Sequence, residues 1–366
     1  MGTGSKVRIS VVIPCFNGED SLPSCLGSFL RQSFKNFEII CVDDGSTDKS
    51  LQIMKSCAER DKRIRVISQS NQGAGPARNA GLRLAGGEYV LFFDADDIAR
   101  KTMLSEMLEA AEKNCSDLTV CGSYLLDEQK QKIKECSWAV NHDVLPPKAS
   151  FSRKDVEHDF FTLFAWWPWD KLWRMSFLKS TGILFDSLRN TEDLFFCAAN
   201  ALMAERISVA DSPLVIHRIG VTSSRSETRN PHCCDFMESL LHLRDFMTEK
   251  SLYGAMERDF INYAVPFSLW NMETLGGQGF LTVYKRLRES FFPEIRAFGR
   301  DEGYIRESRL CERLDKISKC SAEEALAERC DELRALAEHY RKKRHSKLVW
   351  RLKGLMKSIR LLTLRF

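Results

Sequence analysis

The sequence predicts an α/β fold with a mostly parallel central sheet flanked by helices, followed by a helical C-terminal region. Short segments rich in β-branched residues alternate with amphipathic segments of helical length over residues 1–100. Strands that alternate with helices indicate βαβ units and hence a parallel sheet. The segment 88–94, E-Y-V-L-F-F-D, supports this, because an apolar run on both faces of a strand is typical of a parallel sheet.

The element boundaries follow from hydrophobic periodicity and from turn residues. Strands are predicted over 7–13, 37–42, 64–67, 88–93 and 118–124. Helices are predicted around the apolar faces of 22–30 and 51–58, and over 74–84, 103–111, 236–248, 253–274, 280–291 and 322–339. Residues 130–150 are polar and are predicted to form an insertion.

Length and composition indicate a multidomain protein of the reducing cytoplasm. The 366 residues suggest three parts, 1–225, 226–340 and a tail over 341–366. The 13 cysteines are odd in number and dispersed, which is atypical of a disulfide framework. The N-terminal residues lack the apolar core of a signal peptide, so we expect a cytoplasmic location.

Charge is concentrated in the tail. Residues 341–366 carry ten Lys and Arg and no acid, so the net charge of +4 leaves 4 − 10 = −6 for residues 1–340. This pattern argues against a general nucleic-acid surface, and we expect no nucleic-acid partner. Apolar residues at helical spacing make the tail an amphipathic basic segment, which either lies on the anionic inner face of a membrane as a peripheral anchor or packs on its own protein.

Polar residues follow each of the first four predicted strands, in the segments 14–17, 43–48, 71–79 and 94–97. The carboxyl ends of parallel strands meet at one edge of the sheet, where ligands bind. Crowded carboxylates such as Asp94, Asp96 and Asp97 repel one another unless a cation joins them, and hard oxygen ligands favour Mg²⁺ or Mn²⁺. We therefore predict a divalent cation that holds a diphosphate, with a solvated acidic turn as the alternative.

Several familiar sites are excluded by spacing. Gly73-x-Gly75 has Arg78 where a dinucleotide-binding fingerprint needs a third glycine. No Gly-Lys-Ser/Thr of a P-loop and no G-x-S-x-G of a hydrolase occurs. Residues 94–97 lack the later ligands and the glycine of an EF-hand loop.

Four motifs together resemble the family-two inverting glycosyltransferases with the GT-A fold. They are I-S-V-V-I-P-C-F-N at 9–17, V-D-D-G-S-T-D at 42–48, N-Q-G-A-G-P-A-R-N-A-G at 71–81 and D-A-D-D at 94–97. The resemblance covers about residues 7–225 and preserves the family's motif order. It implies a GT-A fold, a nucleotide-sugar donor, a Mn²⁺ or Mg²⁺ cofactor and inversion at the transferred sugar.

The resemblance also implies roles for individual residues. Asp44 matches the carboxylate that binds the uracil imide, Arg78 the basic residue near base and phosphates, Asp94 the ribose contact of D-x-D, and Asp96 the metal ligand. Phe16 stands where the family usually has Tyr. The full set of implied nucleotide-sugar contacts is Pro14, Phe16, Asn17, Asp43, Asp44, Arg78, Asp94, Ala95, Asp96, His217 and Arg218.

Two further segments carry candidate chemistry. The indole-rich stretch W-W-P-W-D-K-L-W at 166–173 either packs in the core or offers a sugar platform, for which Trp169 and Lys171 are the candidates. In T-E-D at 191–193, Thr191 suits a helix N-cap and acids suit a first turn. The family places its catalytic base in a motif of this form, so Asp193 is the expected base and Glu192 its alternate.

His217 and Arg218 end a predicted strand that leads into a basic loop at 220–225. The family often closes such a segment over the diphosphate, so both residues are candidate phosphate ligands. The alternative is an ordinary surface strand end.

The predicted function is metal-dependent, inverting transfer of a sugar from a nucleoside diphosphate, most plausibly UDP, to a glycan or lipid-linked acceptor in cell-surface polysaccharide synthesis. One base suffices for inversion, because the diphosphate is already a good leaving group. Two alternatives stay open from the residues alone. They are a D-x-D nucleotidyltransferase or phosphohydrolase, and a non-catalytic nucleotide-sugar-binding protein.

Overall fold

The computed structural model describes residues 6–219, 230–301 and 303–342. The chain divides into two compact units, one of Met1–Ser224 with Asp245–Met247 and one of Arg225–Arg244 with Thr248–Phe366. The predicted division at 225, the basic loop at 220–225 and most of the tail at 341–366 lie outside the described residues. The three-part division therefore stays a prediction.

The first unit is built on one mixed sheet. Its strands are β1 (Ile9–Cys15), β2 (Phe37–Asp43), β3 (Ile64–Ser68), β4 (Tyr89–Phe92), β5 (Ile98–Ala99), β6 (Leu118–Asp127), β7 (Lys132–Glu135), β8 (Lys171–Arg174) and β9 (Ile207–Ile219). The order is β3-β2-β1-β4-β8-β6-β9-β5, with β7 paired to β6. The predicted α/β class is confirmed.

The first four strands form the predicted parallel part of the sheet. β1 lies between β2 and β4 and is parallel to both. Every residue of β1 and β2 is buried, which is the environment expected for strands covered on both faces. Val12 pairs with Ile40 on one side and with Phe92 on the other, so the loops that follow these strands emerge at one edge.

Among the described residues before 220, six segments of this unit are α-helices. They are α1 (Leu22–Leu30), α2 (Ser50–Arg60), α3 (Ala74–Leu84), α4 (Met103–Lys113), α5 (Met175–Thr181) and α6 (Glu192–Met203). Leu26 and Phe29 of α1 are buried in the core beside β1 and β4. The ring of Phe29 meets that of Phe93 edge to face, with centroids 4.8 Å apart.

Sequence periodicity missed the short antiparallel strands. β8 joins the parallel part to the rest of the sheet, since it is antiparallel to both β4 and β6. Its four residues, K-L-W-R, are too few to show a period, and pairing on both sides stabilises the strand instead. β7 lies within the predicted polar insertion and is fully exposed on its side chains.

The C-terminal part is helical, as predicted. Its helices are α7 (Asp235–Glu249), α8 (Tyr253–Thr274), α9 (Gly277–Arg286), α10 (Phe292–Glu294, after a π-turn at Leu287–Phe291), α11 (Ser308–Lys319) and α12 (Ala322–Lys342). α11 was not predicted, although Leu310, Leu314 and Ile317 are buried at helical spacing. None of the described helices is long and apolar enough to cross a membrane.

Candidate active site

The loops after β1 and β2 are joined by hydrogen bonds at the sheet edge. Asn17 adopts a positive φ of 51°, and its side-chain oxygen accepts hydrogen bonds from the backbone N–H of Thr47 at 2.8 Å and from its hydroxyl at 3.3 Å. The N–H of Gly18 donates to Ser50 Oγ at 2.8 Å. These bonds fix the loop after β1 at the sheet edge. In this loop the side chain of Phe16 is 42 % exposed, whereas Pro14 is buried inside β1.

Asp44 fixes the loop that follows β3. Its Oδ1 accepts hydrogen bonds from Gln69 Nε2 at 2.8 Å and from the N–H of Gln72 at 2.9 Å. Its Oδ2 accepts one from the N–H of Gly73 at 2.8 Å, where φ is +103° and favours glycine. The side chain is only 2 % exposed, and these three bonds leave at most one of the about four acceptor positions of a carboxylate for a base imide.

Asp43 is bound within the protein as well. Its carboxylate accepts hydrogen bonds from Ser68 Oγ at 2.8 Å and from the N–H of Ser46 at 3.2 Å, and the side chain is buried. The observed role of Asp43 is therefore to join the ends of β2 and β3.

The D-x-D segment forms an acidic cluster directly after β4. One carboxylate oxygen each of Asp94, Asp96 and Asp97 lies within 4.8 Å of the others. Asp94, Ala95 and Asp96 are partly exposed, whereas Asp97 is fully buried. Among the residues that the structure describes, no other group of three acidic, His or Cys side chains meets as closely. Clustered carboxylate oxygens of this kind fit a hard divalent cation.

His217 lies beside this cluster, on β9. Its Nδ1 is 2.8 Å from Asp97 Oδ1, and the backbone N–H of Arg218 donates to the same oxygen at 3.1 Å. Burial lowers the pKa of His217, but the charge of Asp97 outweighs it and raises that pKa to about 9. His217 is thus a cationic partner of Asp97, which differs from the phosphate contact expected from the sequence.

Arg218 is also engaged within the protein. Its Nε donates to Glu128 Oε1 at 2.6 Å and its guanidinium donates to Ser24 Oγ at 3.3 Å. This arrangement places Arg218 in an ion pair between β9 and β6, so its predicted phosphate contact would require that pair to open.

Arg78 joins the acidic cluster to the candidate base. It is only 3 % exposed, and it donates to Asp94 Oδ1 at 2.7 Å and to Glu192 Oε1 at 2.9 Å. Burial lowers the pKa of Arg78, but the carboxylates of Asp94, Glu192 and Asp193 together raise it above its ordinary value. The sequence resemblance placed Arg78 near the nucleotide, whereas the structure makes it an internal bridge.

The start of α3 holds the segment that leads to Asp193. The side chain of Asn79 makes two hydrogen bonds with the backbone of Phe185, at 2.9 and 3.0 Å. A Cβ at Gly75 would lie 1.9 Å from the carbonyl oxygen of Asp186. Sequence reasoning missed this docking function, although a glycine and an asparagine inside a helix are unfavourable for the helix itself and could have pointed to it.

Thr191 precedes α6 in a strained conformation. Its φ is +59°, which is rare for a β-branched residue, and its side chain makes no capping bond. The predicted N-cap position is confirmed, but the predicted capping by the side chain is wrong. Backbone strain of this kind costs of order 1–3 kcal/mol and persists where the surrounding structure over-determines it.

Asp193 lies at the start of α6, beside Arg78 and Glu192. Burial is the main cause that raises the pKa of Asp193 to about 7, and the neighbouring charge of Glu192 adds to it. Arg78 acts in the opposite direction. Glu192 is buried and already bonded to Arg78, so Asp193 is the better placed of the two predicted bases.

The predicted sugar platform at Trp169 and Lys171 is not exposed. Trp169 is 1 % exposed, and its ring stacks with those of Trp167 and His217 at centroid distances of 4.5 and 5.2 Å. Lys171 Nζ donates to Asp170 and to the carbonyls of Ala165 and Trp167, at 2.6–2.9 Å. Trp169 and Lys171 therefore support the site from within the core, and a sugar cannot stack on Trp169 in this structure.

The α/β fold and the two groups of carboxylates fit a glycosyltransferase, and comparisons with known proteins identify the family. The model for glycosyl transferase family 2 matches residues 10–167. EpsJ of Bacillus subtilis strain 168, named as an uncharacterized glycosyltransferase, is 31 % identical over 257 residues, which cover 70 % of this chain and 74 % of EpsJ. The chain belongs to glycosyl transferase family 2. This membership decides against the nucleotidyltransferase, phosphohydrolase and non-catalytic alternatives.

One further relative and one solved structure are also similar to this chain. The poly(ribitol-phosphate) β-glucosyltransferase of Bacillus spizizenii is 32 % identical over 212 residues, which cover 56 % of this chain and 31 % of that protein. Residues 1–349 of TarS from S. aureus in complex with UDP give a TM-score of 0.51 at 20 % identity, and the match covers 85 % of this chain and 90 % of that one. The TarS similarity confirms the predicted fold with its helical C-terminal region.

Proposed function

We propose that this glycosyltransferase moves a sugar from a UDP-linked donor to an acceptor hydroxyl with inversion, and that Asp193 is the base. The observation that carries the proposal is the Arg78 bridge, because it links the D-x-D cluster to the segment of Asp193. UDP as the nucleotide is supported by fold similarity to TarS, whose structures include complexes with UDP and UDP-GlcNAc.

The donor would lie along the carboxyl edge of the parallel strands. Phe16 and Asn17 offer exposed surface there, and Asp44 has at most one acceptor position left for the base. Asp94, already oriented by Arg78, would accept hydrogen bonds from the ribose. Pro14, Asp43 and Ala95 would shape the donor site without bonding to the donor, because they hold the strand ends and the D-x-D segment that surround it.

A Mn²⁺ or Mg²⁺ ion fits the acidic cluster. Asp96 would be its main protein ligand, because it is a partly exposed member of the cluster and matches the metal ligand of the D-x-D motif. Few protein carboxylates are typical of Mg²⁺ sites that also bind phosphate. When bound, the ion would supply positive charge beside the diphosphate.

Asp193 would accept the proton of the acceptor hydroxyl as that oxygen attacks the anomeric carbon. A pKa near 7 suits this role, because a base works best when its pKa lies near the operating pH. The new glycosidic bond forms as the bond to the diphosphate breaks on the opposite face, so one base is sufficient. Glu192 would keep Arg78 in place and thereby orient the start of α6.

The substitution Asp193→Asn tests this mechanism. We expect transfer to fall by about 10²–10⁴-fold, because the amide cannot accept the proton, whereas UDP binding with Mn²⁺ is retained. UDP release from a panel of UDP-sugars, with an acceptor present, measures the rate. Asp211→Asn, an exposed carboxylate on β9, is the matched control. Transfer at the wild-type rate in Asp193→Asn would remove Asp193 from the mechanism.

The acceptor proposed here is a glycan or a lipid-linked glycan of cell-surface polysaccharide synthesis. The names of similar proteins support a polymer acceptor, and the basic tail supports a membrane location. In the full chain, Lys353→Glu together with Lys357→Glu should weaken binding to anionic liposomes, by about 1 kcal/mol per removed cation or more. Lys179→Glu on the exposed face of α5 is the control. Equal liposome binding by all three proteins would contradict the anchor.

A further inference from the structure

Trp138 is an exposed indole on a rigid turn close to the candidate active site. It is 57 % exposed, although its neighbours Cys136, Ala139 and Val140 are buried. A single exposed tryptophan is common in folded proteins and does not by itself indicate a function. The anchoring of Trp138 and its position near the acidic cluster are what suggest one.

The turn that carries Trp138 is held on both sides. The N–H of Cys136 donates to the carbonyl of Ser123 on β6 at 2.8 Å, and the N–H of Ala139 closes the turn onto Cys136 at 3.0 Å. The N–H of Ala165 donates to Ala139 at 3.0 Å, just before the indole-rich stretch. Trp138 is therefore presented by a fixed backbone, which reduces the entropy cost of binding a ligand.

A chain of ring contacts runs from Trp138 to the acidic cluster. Trp138 meets Trp167 at a centroid distance of 4.8 Å and an interplanar angle of 62°. Trp167, which is partly exposed, lies 5.6 Å from the ring of His217. His217 in turn is bonded to Asp97. Ring contacts thus connect Trp138 to His217, the residue that bonds to Asp97 of the D-x-D cluster.

The geometry of the pair suits a flat apolar ligand with polar edges. Trp138 is held edge to face by Trp167, and much of its aromatic face is open to a ligand because the side chain is 57 % exposed. Trp167 stacks on Trp169 and is only partly exposed, so it supports Trp138 from behind. One face of a pyranose presents several C–H groups that pack on the negative face of an aromatic ring, while its hydroxyls remain at the rim. Sugar is the substance that the proposed reaction brings to this edge of the sheet.

We propose that Trp138, supported by Trp167, forms a binding subsite for a pyranose ring of the acceptor. The inference rests on the proposed function and extends it, because it makes the acceptor a glycan that contacts the enzyme beyond the reacting hydroxyl. It also moves the sugar platform from Trp169, which is buried, to the open end of the same aromatic cluster.

The test measures pyranoside binding by saturation-transfer NMR on the full chain in the presence of UDP. The probes are the methyl glycosides of glucose, galactose and N-acetylglucosamine. For the wild type, we expect saturation to be transferred from the protein to the ring protons of at least one glycoside. Trp138→Ala should weaken that binding by about tenfold, the equivalent of losing about 1.4 kcal/mol of contact.

Two variants serve as controls. Ile133→Ala removes a side chain that is also 57 % exposed, on β7 of the same insertion, and should leave binding unchanged. Trp138→Phe keeps a smaller aromatic face and should retain part of the binding. Equal binding by the wild type and Trp138→Ala, or no saturation transfer to any glycoside in the wild type, would overturn the proposal.

The proposed function can fail separately. Thermal stabilisation by UDP and Mn²⁺, measured on the same proteins, reports the donor site without the acceptor. If UDP does not stabilise the protein while glycoside binding still depends on Trp138, the UDP donor is wrong and the sugar subsite stands. If UDP stabilises the protein and glycoside binding does not depend on Trp138, only the subsite is wrong.

Discussion

At the scale of the residue, Arg78 illustrates how one buried cation organises two parts of a site. Three carboxylates, those of Asp94, Glu192 and Asp193, raise its pKa, and it bonds directly to the first two. Without the guanidinium these carboxylates would repel one another. A fork of donors at a fixed angle is what a bridge between two carboxylates requires, and lysine does not offer it.

Arg78→Lys should therefore lower transfer by about tenfold or more and reduce stability by about 2 kcal/mol, because one of two buried pairs is lost. Removal of the charge should also change the pH profile. In the wild type, kcat/KM should rise with pH up to about 7, because protonated Asp193 cannot accept a proton. The charge of Arg78 lowers the pKa of Asp193, so in the neutral variant Arg78→Gln the acid limb should move to higher pH.

A pH series of initial rates and a urea titration measure both effects. Arg83→Lys, on the exposed surface of the same helix, is the matched control and should leave rate and stability unchanged. An acid limb at the same pH in Arg78→Gln and in the wild type would show that the charge of Arg78 does not act on Asp193.

At the scale of the element, the start of α3 and the segment before α6 form one unit. Asn79 bonds to Phe185, and Gly75 allows the carbonyl of Asp186 to approach the helix. The motif N-Q-G-A-G-P-A-R-N is therefore used for packing against a segment about a hundred residues further along the chain. Gly75 is required by the close approach of two backbones, whereas Gly73 is required by its positive φ of 103°.

Gly75→Ala should displace this segment, since the new Cβ would lie 1.9 Å from Asp186 O. Real Cβ atoms essentially never come closer than 3.0 Å to such an atom, so the backbone would have to move. We expect transfer to fall by at least tenfold, because a shift of about 1 Å at a reacting group can cost 10²-fold. Gly254→Ala on α8 is the control. A Cβ at Gly254 meets nothing within 4 Å, so that variant should be as active and as stable as the wild type or slightly more stable. Full activity of Gly75→Ala would contradict the docking function.

The elements that could be predicted from sequence are those marked by short-range patterns of apolar and turn residues. The strands β1 to β4 and the helix α3 were predicted within two residues, because apolar periodicity and turn residues mark them. The Arg78–Glu192 pair spans 114 residues and has no local signature. The burial of Trp169 and the exposure of Trp138 also depend on the tertiary fold, since an indole-rich stretch is compatible with a core and with a binding surface alike.

At the scale of the whole molecule, the four loops that follow β1 to β4 lie at one edge of the sheet because these parallel strands run in the same direction. β1 pairs with β2 and β4 in register, so their carboxyl ends lie together. β9 brings His217 to the same acidic cluster from the far side of the sheet. The site formed by these loops and His217 therefore exists only in the folded chain, and a ligand that binds this site should stabilise the fold.

UDP with Mn²⁺ should raise the melting temperature of the wild type, by an amount that corresponds to about 2.7 kcal/mol at a hundredfold excess over Kd. Asp96→Asn should lose the part of this stabilisation that depends on Mn²⁺, because the amide is neutral and is a weaker ligand. Thermal unfolding with and without EDTA separates the two parts. Asp211→Asn should behave as the wild type. A Mn²⁺-dependent shift of the same size in Asp96→Asn would place the ion elsewhere.

The hydrogen bonds of Asp44 have a consequence for engineering new donor preferences. The carboxylate expected to contact the nucleobase also fixes Gln72 and Gly73, the residues that precede α3. α3 carries Arg78 and Asn79, which hold the proton acceptor's segment. A library that changes base preference through residue 44 would therefore also change catalytic geometry. Variation of Phe16, whose exposed side chain lies in the loop after β1, offers a route to altered donor choice that leaves this connection intact.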